Sequence, residues 1–120
     1  MPRYVILTHD HPHLHWDFML ENEAVLRTWR LARAPDEAGP IDAKALADHR
    51  LAYLDYEGPV SGNRGSVRRF DRGEYVLVRE IVDRLEIQLE GTILQGRALI
   101  ERKVSAGWKY EFTPTAPRLP

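Results

Sequence analysis

HDHPHLHWD, His9 to Asp17, decides how this chain is laid out, because it places four histidines and two aspartates in nine residues. Histidine is the commonest metal ligand, and a carboxylate beside two imidazoles suits a divalent ion such as Mn²⁺, Fe²⁺ or Zn²⁺. A strand rises roughly 3.3 Å per residue, so on one continuous strand His9 and His15 would lie about 20 Å apart, too far to share an ion. The chain must therefore reverse between them. Asp10 and Pro12 supply the means: proline offers no ladder N–H, and aspartate bonds readily to its own backbone in turns. Two strands meeting at a histidine-rich loop follow. Beyond the loop, the period of two puts His15, Asp17, Met19 and Glu21 on one face and Trp16, Phe18 and Leu20 on the other. His9, His15 and Asp17 are the candidate ligands.

Working outward, 120 residues make one domain of ordinary size, able to bury roughly two-thirds of its unfolded surface. The composition, 43% hydrophobic and 29% charged, is that of a soluble globular protein. No apolar run has the length of a membrane span and no secretory signal precedes Tyr4, so a cytoplasmic setting without membrane contact is expected. The absence of cysteine removes disulfides and thiolate ligands together, leaving nitrogen and oxygen to hold any metal. With 17 Lys and Arg against 18 Asp and Glu there is no global pull toward phosphate backbones, so nucleic-acid contact has to be local.

The β-branched run Arg3–Thr8 (RYVILT) predicts a first strand that delivers His9 at its end. His15–Glu21 is the second strand. Asn22 is a turn residue, and Ala24–Leu31 closes a hairpin on the second, bringing at least one of Arg27, Arg30 and Arg33 near His15 and Asp17. Ala34–Pro40 reads as an exposed loop. For Asp42–His49 (DAKALADH) local propensity favours a short helix with Asp42 as N-cap, with a strand as the alternative.

SGNRGS (Ser61–Ser66) is a glycine-bearing turn without the Gly-Lys-Ser/Thr ending of a phosphate loop. Val67–Phe70 starts a strand ended by an Asp71-Arg72-Gly73 turn, and Tyr75–Val82 resumes it. Arg84–Glu90 alternates without error, and Ile93–Lys103 and Trp108–Thr113 complete the series. Turn signals recur every eight to twelve residues or so, the pattern of a β-barrel or sandwich. Residues 114–120, with three prolines, read as a loose or edge-lying extension. Arg64, Arg68, Arg69 and Arg72 form a charge-rich hairpin in which Arg68 and Arg69 must point opposite ways. Trp16, Trp29 and Trp108 have the faces to stack bases, yet strand aromatics favour the core, above all Trp16 and Trp108.

The ordered set His9-x5-His15-Trp16-Asp17-Phe18, Asp48-His49, Tyr53, Tyr56-Glu57-Gly58 and Phe70-Asp71-Arg72-Gly73 resembles the 3′-phosphoesterase domain of bacterial DNA ligase D over most of the chain. The resemblance implies an all-β fold, a compact antiparallel β-barrel with at most one short helix, spanning residues 1–120 as a stand-alone, diverged member. It implies a metal-dependent hydrolase, with Mn²⁺ first and Zn²⁺ or another transition metal as alternatives, that removes 3′-phosphates and 3′-terminal ribonucleotides in DNA break repair. Its partners would be DNA 3′ ends and repair proteins, and the chain would act as a monomer. By the same resemblance His9, His15 and Asp17 hold the metal, His49 and Tyr53 touch the scissile phosphate, and Arg33 and Lys44 neutralise its oxygens, while His11 and His13, which match no part of the motif, are left to structural or supporting roles. One departure bears on the chemistry. Where the family has an arginine two residues after the metal-binding aspartate, this chain has Met19, which cannot form a phosphate fork, so activity would depend on a neighbour such as Arg27 or Arg30 filling the space. A module that binds DNA ends or a repair partner without catalysis is therefore the alternative, and a metal-dependent enzyme acting on small molecules the third.

Overall fold

Leu85, Ile87 and Leu89 are buried while Arg84, Glu86 and Gln88 between them are partly solvated, so the error-free alternation of this stretch is that of a strand with one face on a core. The computed structural model describes residues 1–116. Its strands are β1 (Arg3–His9), β2 (His15–Asn22), β3 (Val25–Leu31), β4 (Ile41–Arg50), β5 (Gly58–Pro59), β6 (Ser66–Ile81), β7 (Arg84–Gly91), β8 (Gln95–Lys103) and β9 (Gly107–Pro114), with one short 3-10 helix at Leu51–Leu54. They form an antiparallel sheet in the order β1-β2-β3-β4-β9-β8-β7-β6, and β6 pairs back onto β1. That pairing closes an eight-stranded barrel, which removes free sheet edges. Among the described residues no helix is long and apolar enough to cross a membrane.

Two apolar clusters explain the unbroken VIL run of β1. Tyr4, Ile6, Phe18, Leu20, Trp29, Leu31, Ile87, Ile100 and Tyr110 fill the barrel interior. Val5, Leu7, Met19, Leu26, Leu54 and Val67 form a second cluster on the outer wall, beneath Leu51 and Tyr53 of the 3-10 helix. β1 and β2 are thus covered on both faces, the condition under which a strand reads as continuously apolar. Trp29 and Trp108 meet edge to face at 6.1 Å, and Trp16 and Trp108 pack against the interior cluster, as expected for core aromatics.

Two sequence expectations are corrected. Asp42–His49 is strand, not helix: β4 pairs with β3 from Ala43 to Arg50 and with β9 from Ile41 to Ala43. A register shift opposite Leu26/Thr28 sets Leu46 and His49 three residues apart on the outer face, while Ala43, opposite Leu31, faces the interior. Ladder bonds to β3 along most of the segment, and to β9 at its start, outweigh alanine propensity. The one helical segment comes just after, at Leu51–Leu54.

The Asp71-Arg72-Gly73 turn is also absent, and β6 runs through it. Asp71 is there as an interior acceptor. Its carboxylate is buried and takes hydrogen bonds from the Tyr4 hydroxyl (2.5 Å) and from the Ile93 and Leu94 amides (2.8 and 2.9 Å). Burial, then the bond to Asp71, push the Tyr4 phenol far above its ordinary pKa, so it stays a donor. Gly73 serves close packing, since a Cβ there would lie 2.2 Å from the Glu90 carbonyl oxygen. The tail is tied down where it begins: Pro114 pairs with Gly96 and the Thr115 amide donates to the Gln95 carbonyl at 2.8 Å. Residues 117–120 of the expected extension lie outside the described residues.

Candidate metal and phosphate site

β1 and β2 bring His9 and His15 face to face, and Asp17 stands two rungs below on the same face, opposite Leu7. The reversal between them is anchored differently from the expectation. Asp10 does not fold back on its own turn; its carboxylate accepts the Ser66 amide at 2.8 Å, fastening the histidine loop to β6. Gly65 makes room for it, because a Cβ there would sit 2.2 Å from Asp10 Oδ1. Asp10→Ala is expected to weaken metal binding roughly tenfold to a hundredfold, as loss of a supporting contact does, at a stability cost of about 1 kcal/mol. Isothermal titration with Mn²⁺ and a urea melt check the two halves separately.

Backbone carbonyls fix the two imidazoles. His15 Nδ1 lies 2.8 Å from the His13 carbonyl oxygen and His9 Nε2 lies 2.8 Å from that of Arg64. A carbonyl only accepts, so both of these nitrogens carry hydrogen. In the neutral rings the other nitrogens present lone pairs, and both face Asp17: His15 Nε2 is 3.2 Å from Oδ1 and His9 Nδ1 is 3.5 Å from Oδ2. His15 Nε2 and Asp17 Oδ1 are buried without a hydrogen-bond partner. Donor atoms of all three residues fall within 4.8 Å of one another. Buried lone pairs converging on a carboxylate repel unless a cation lies among them, and two imidazoles plus one carboxylate are the donor set of a divalent transition metal. Of the set-aside histidines, His13 contributes its carbonyl, and the exposed His11 ring stands 6.5 Å from His9.

The remaining candidates are distributed over the same outer wall. Register places Arg69, Leu7, Asp17, Arg30 and Lys44 in one row across β6, β1, β2, β3 and β4. The apolar patch around Met19 and Leu26 forms the floor beside this row. His49 pairs with Leu26 at the far side of that floor, its Nδ1 donating to the Ala47 carbonyl at 2.9 Å and its ring 5.8 Å from Tyr53. Nε2 of His49 is left free for other chemistry. Arg33 instead bonds the Pro40 carbonyl at 2.6 Å and pairs with Glu37 at 3.5 Å. In the arginine-rich hairpin, Arg64 holds Ser61 and Arg69 pairs with Glu57. The arginine that the β2–β3 hairpin brings to Asp17 is Arg30, while Arg27 turns to Glu80. Sequence reasoning named Arg30 among three arginines near Asp17 but did not decide between them. The signal that finds it is the turn at Glu23 and Ala24, which makes Asn22 and Val25 partners and Asp17 and Arg30 partners five rungs on.

Fold and site together define a small closed β-barrel that carries a two-histidine, one-carboxylate cluster on its outer wall. The chain belongs to the DNA ligase D 3′-phosphoesterase domain family, whose model matches residues 7–102. It is also 34% identical over 105 residues to the multifunctional non-homologous end joining protein LigD of Pseudomonas aeruginosa. That match covers 79% of this chain and 12% of the relative, so the chain corresponds to a small part of that protein.

Proposed function

We infer that the protein is a metal-dependent phosphoesterase that processes DNA 3′ ends in break repair, removing 3′-phosphates and 3′-terminal ribonucleotides. The observation that carries this reading is the convergence of the His9, His15 and Asp17 lone pairs, with the family supplying the substrate class. These three residues would hold the ion, Mn²⁺ first and Zn²⁺ or another transition metal as alternatives. When bound, the ion supplies Lewis-acid polarisation and an acidified water.

The chain's own residues do the rest. Hydrogen bonds from His9 and His15 to the Arg64 and His13 carbonyls hold each ring in one tautomer, so no reorganisation is needed on binding. Lys44, in the Asp17 row, neutralises phosphoryl oxygens. His49, with Nδ1–H fixed on a carbonyl, moves a proton at Nε2 to or from the leaving oxygen, and Tyr53 orients it from the side. Arg33 joins only on leaving Glu37, an exposed pair that costs at most about 1 kcal/mol to open.

One observation favours the second reading, a module that binds DNA ends without cleaving them: Met19 is fully buried in the apolar floor and offers no charge to a phosphate. A single assay separates the two. The protein freed of metal and then given Mn²⁺ is expected to release phosphate from a 3′-phosphorylated primer and to stop when EDTA is added. Tight, salt-sensitive binding of the same primer without release would establish the second reading instead.

A further inference from the structure

We propose that Arg30 and Lys44 form an anion subsite beside the His9–His15–Asp17 cluster, and that Arg30 supplies from β3 the phosphate-binding guanidinium that Met19 does not supply from β2. The ligand is the terminal phosphate of a DNA 3′ end, and in that respect the inference rests on the function proposed above.

Four observations carry it. Arg30 and Lys44 are direct cross-strand partners on the same face, and like charges in that position destabilise a sheet unless something negative lies between them. Neither has a carboxylate partner among the described residues. Asp42 nearby is taken by Lys109, and both Asp17 oxygens face histidines. Arg30 is half-buried, and its Nε is shielded from solvent with no hydrogen-bond partner, a costly state for a guanidinium that makes no use of it. Finally, Arg30 and Lys44 line one cleft of about 320 Å³ with His15, a metal-cluster residue, and with Pro12 and Leu14 of the histidine loop. An anion held there lies against the metal cluster. Arginine suits the role because its planar fork matches two phosphoryl oxygens at once, with lysine adding a point charge.

The subsite is tested by binding rather than turnover. Fluorescence anisotropy in EDTA compares a 3′-phosphorylated oligonucleotide with the same strand ending in a 3′-hydroxyl. The parent is expected to prefer the phosphorylated end by about tenfold, a charge-assisted bond's worth, and Arg30→Met to lose that preference. Arg30→Lys should keep part of it, and Lys44→Met at its exposed position should lower affinity and reduce the salt slope by about one. Should Arg30→Met melt below the assay temperature, Arg30→Lys and Lys44→Met carry the comparison. An Arg30→Met protein that folds and discriminates the two ends as the parent does overturns the subsite, as does a parent with no preference. Failure of the phosphoesterase reading looks different: no phosphate release in Mn²⁺ with Arg30-dependent discrimination intact.

Discussion

Asp17→Asn is expected to abolish Mn²⁺-dependent stabilisation and to lower phosphate release by more than about a hundredfold, while leaving the metal-free protein at least as stable as the parent. The three parts have one origin. In the metal-free parent, a buried carboxylate faces two imidazole nitrogens at 3.2 and 3.5 Å, and two of the atoms involved have no hydrogen-bond partner. An asparagine removes the charge and can turn an N–H toward one of those nitrogens, so the polar strain of the empty cluster falls. The same change deletes the only carboxylate in the proposed ligand set. A metal present at a hundred times its dissociation constant adds about 2.7 kcal/mol to folding stability, which raises Tm by roughly 10 °C in a domain of this size. Circular dichroism melts with and without Mn²⁺, after EDTA treatment, are expected to show that shift in the parent and almost none in Asp17→Asn. A parent that does not respond, or a variant that responds equally, would remove the metal from the site.

Much of the cluster was legible in the sequence because it depends on short-range geometry. One reversal and a period of two bring His9, His15 and Asp17 together, and both follow from spacing in nine residues. The same parity placed Met19 on the ligand face, where it lies. What stayed hidden depends on pairing between segments far apart in the chain. The alanines of Asp42–His49 favour a helix until the ladder to β3 is known. Asp71-Arg72-Gly73 has turn composition because an interior strand uses its carboxylate and its missing side chain for contacts with residues some twenty positions away. Arg30 belongs to an intermediate case. Three arginines compete for one position beside Asp17, and only the exact turn residues decide among them.

Gly91→Ala should be the most damaging single methyl in the barrel. Gly91 ends β7 directly over the Tyr4–Asp71 pair, and a Cβ there would lie 1.8 Å from Tyr4 Oη, 2.5 Å from Asp71 Oδ2 and 2.9 Å from Tyr4 Cζ. None of these atoms can give way cheaply. Tyr4 is fully buried in the interior cluster and Asp71 is held by two amides besides the phenol, so relief means breaking bonds that cannot be replaced by water. Overpacking and lost buried hydrogen bonds together predict a loss of about 4 kcal/mol, a large share of a typical domain's stability of roughly 5–15 kcal/mol. Tyr4→Phe alone removes one donor and should cost about 1–2 kcal/mol. Combined, the two changes are expected to be less harmful than their sum, because the phenylalanine vacates the nearest clash, yet still worse than Tyr4→Phe, because the 2.5 Å approach to Asp71 remains. Urea denaturation of the parent, both single variants and the double variant measures that coupling. Strict additivity would mean that the barrel relaxes around residue 91 by a route that does not involve Tyr4.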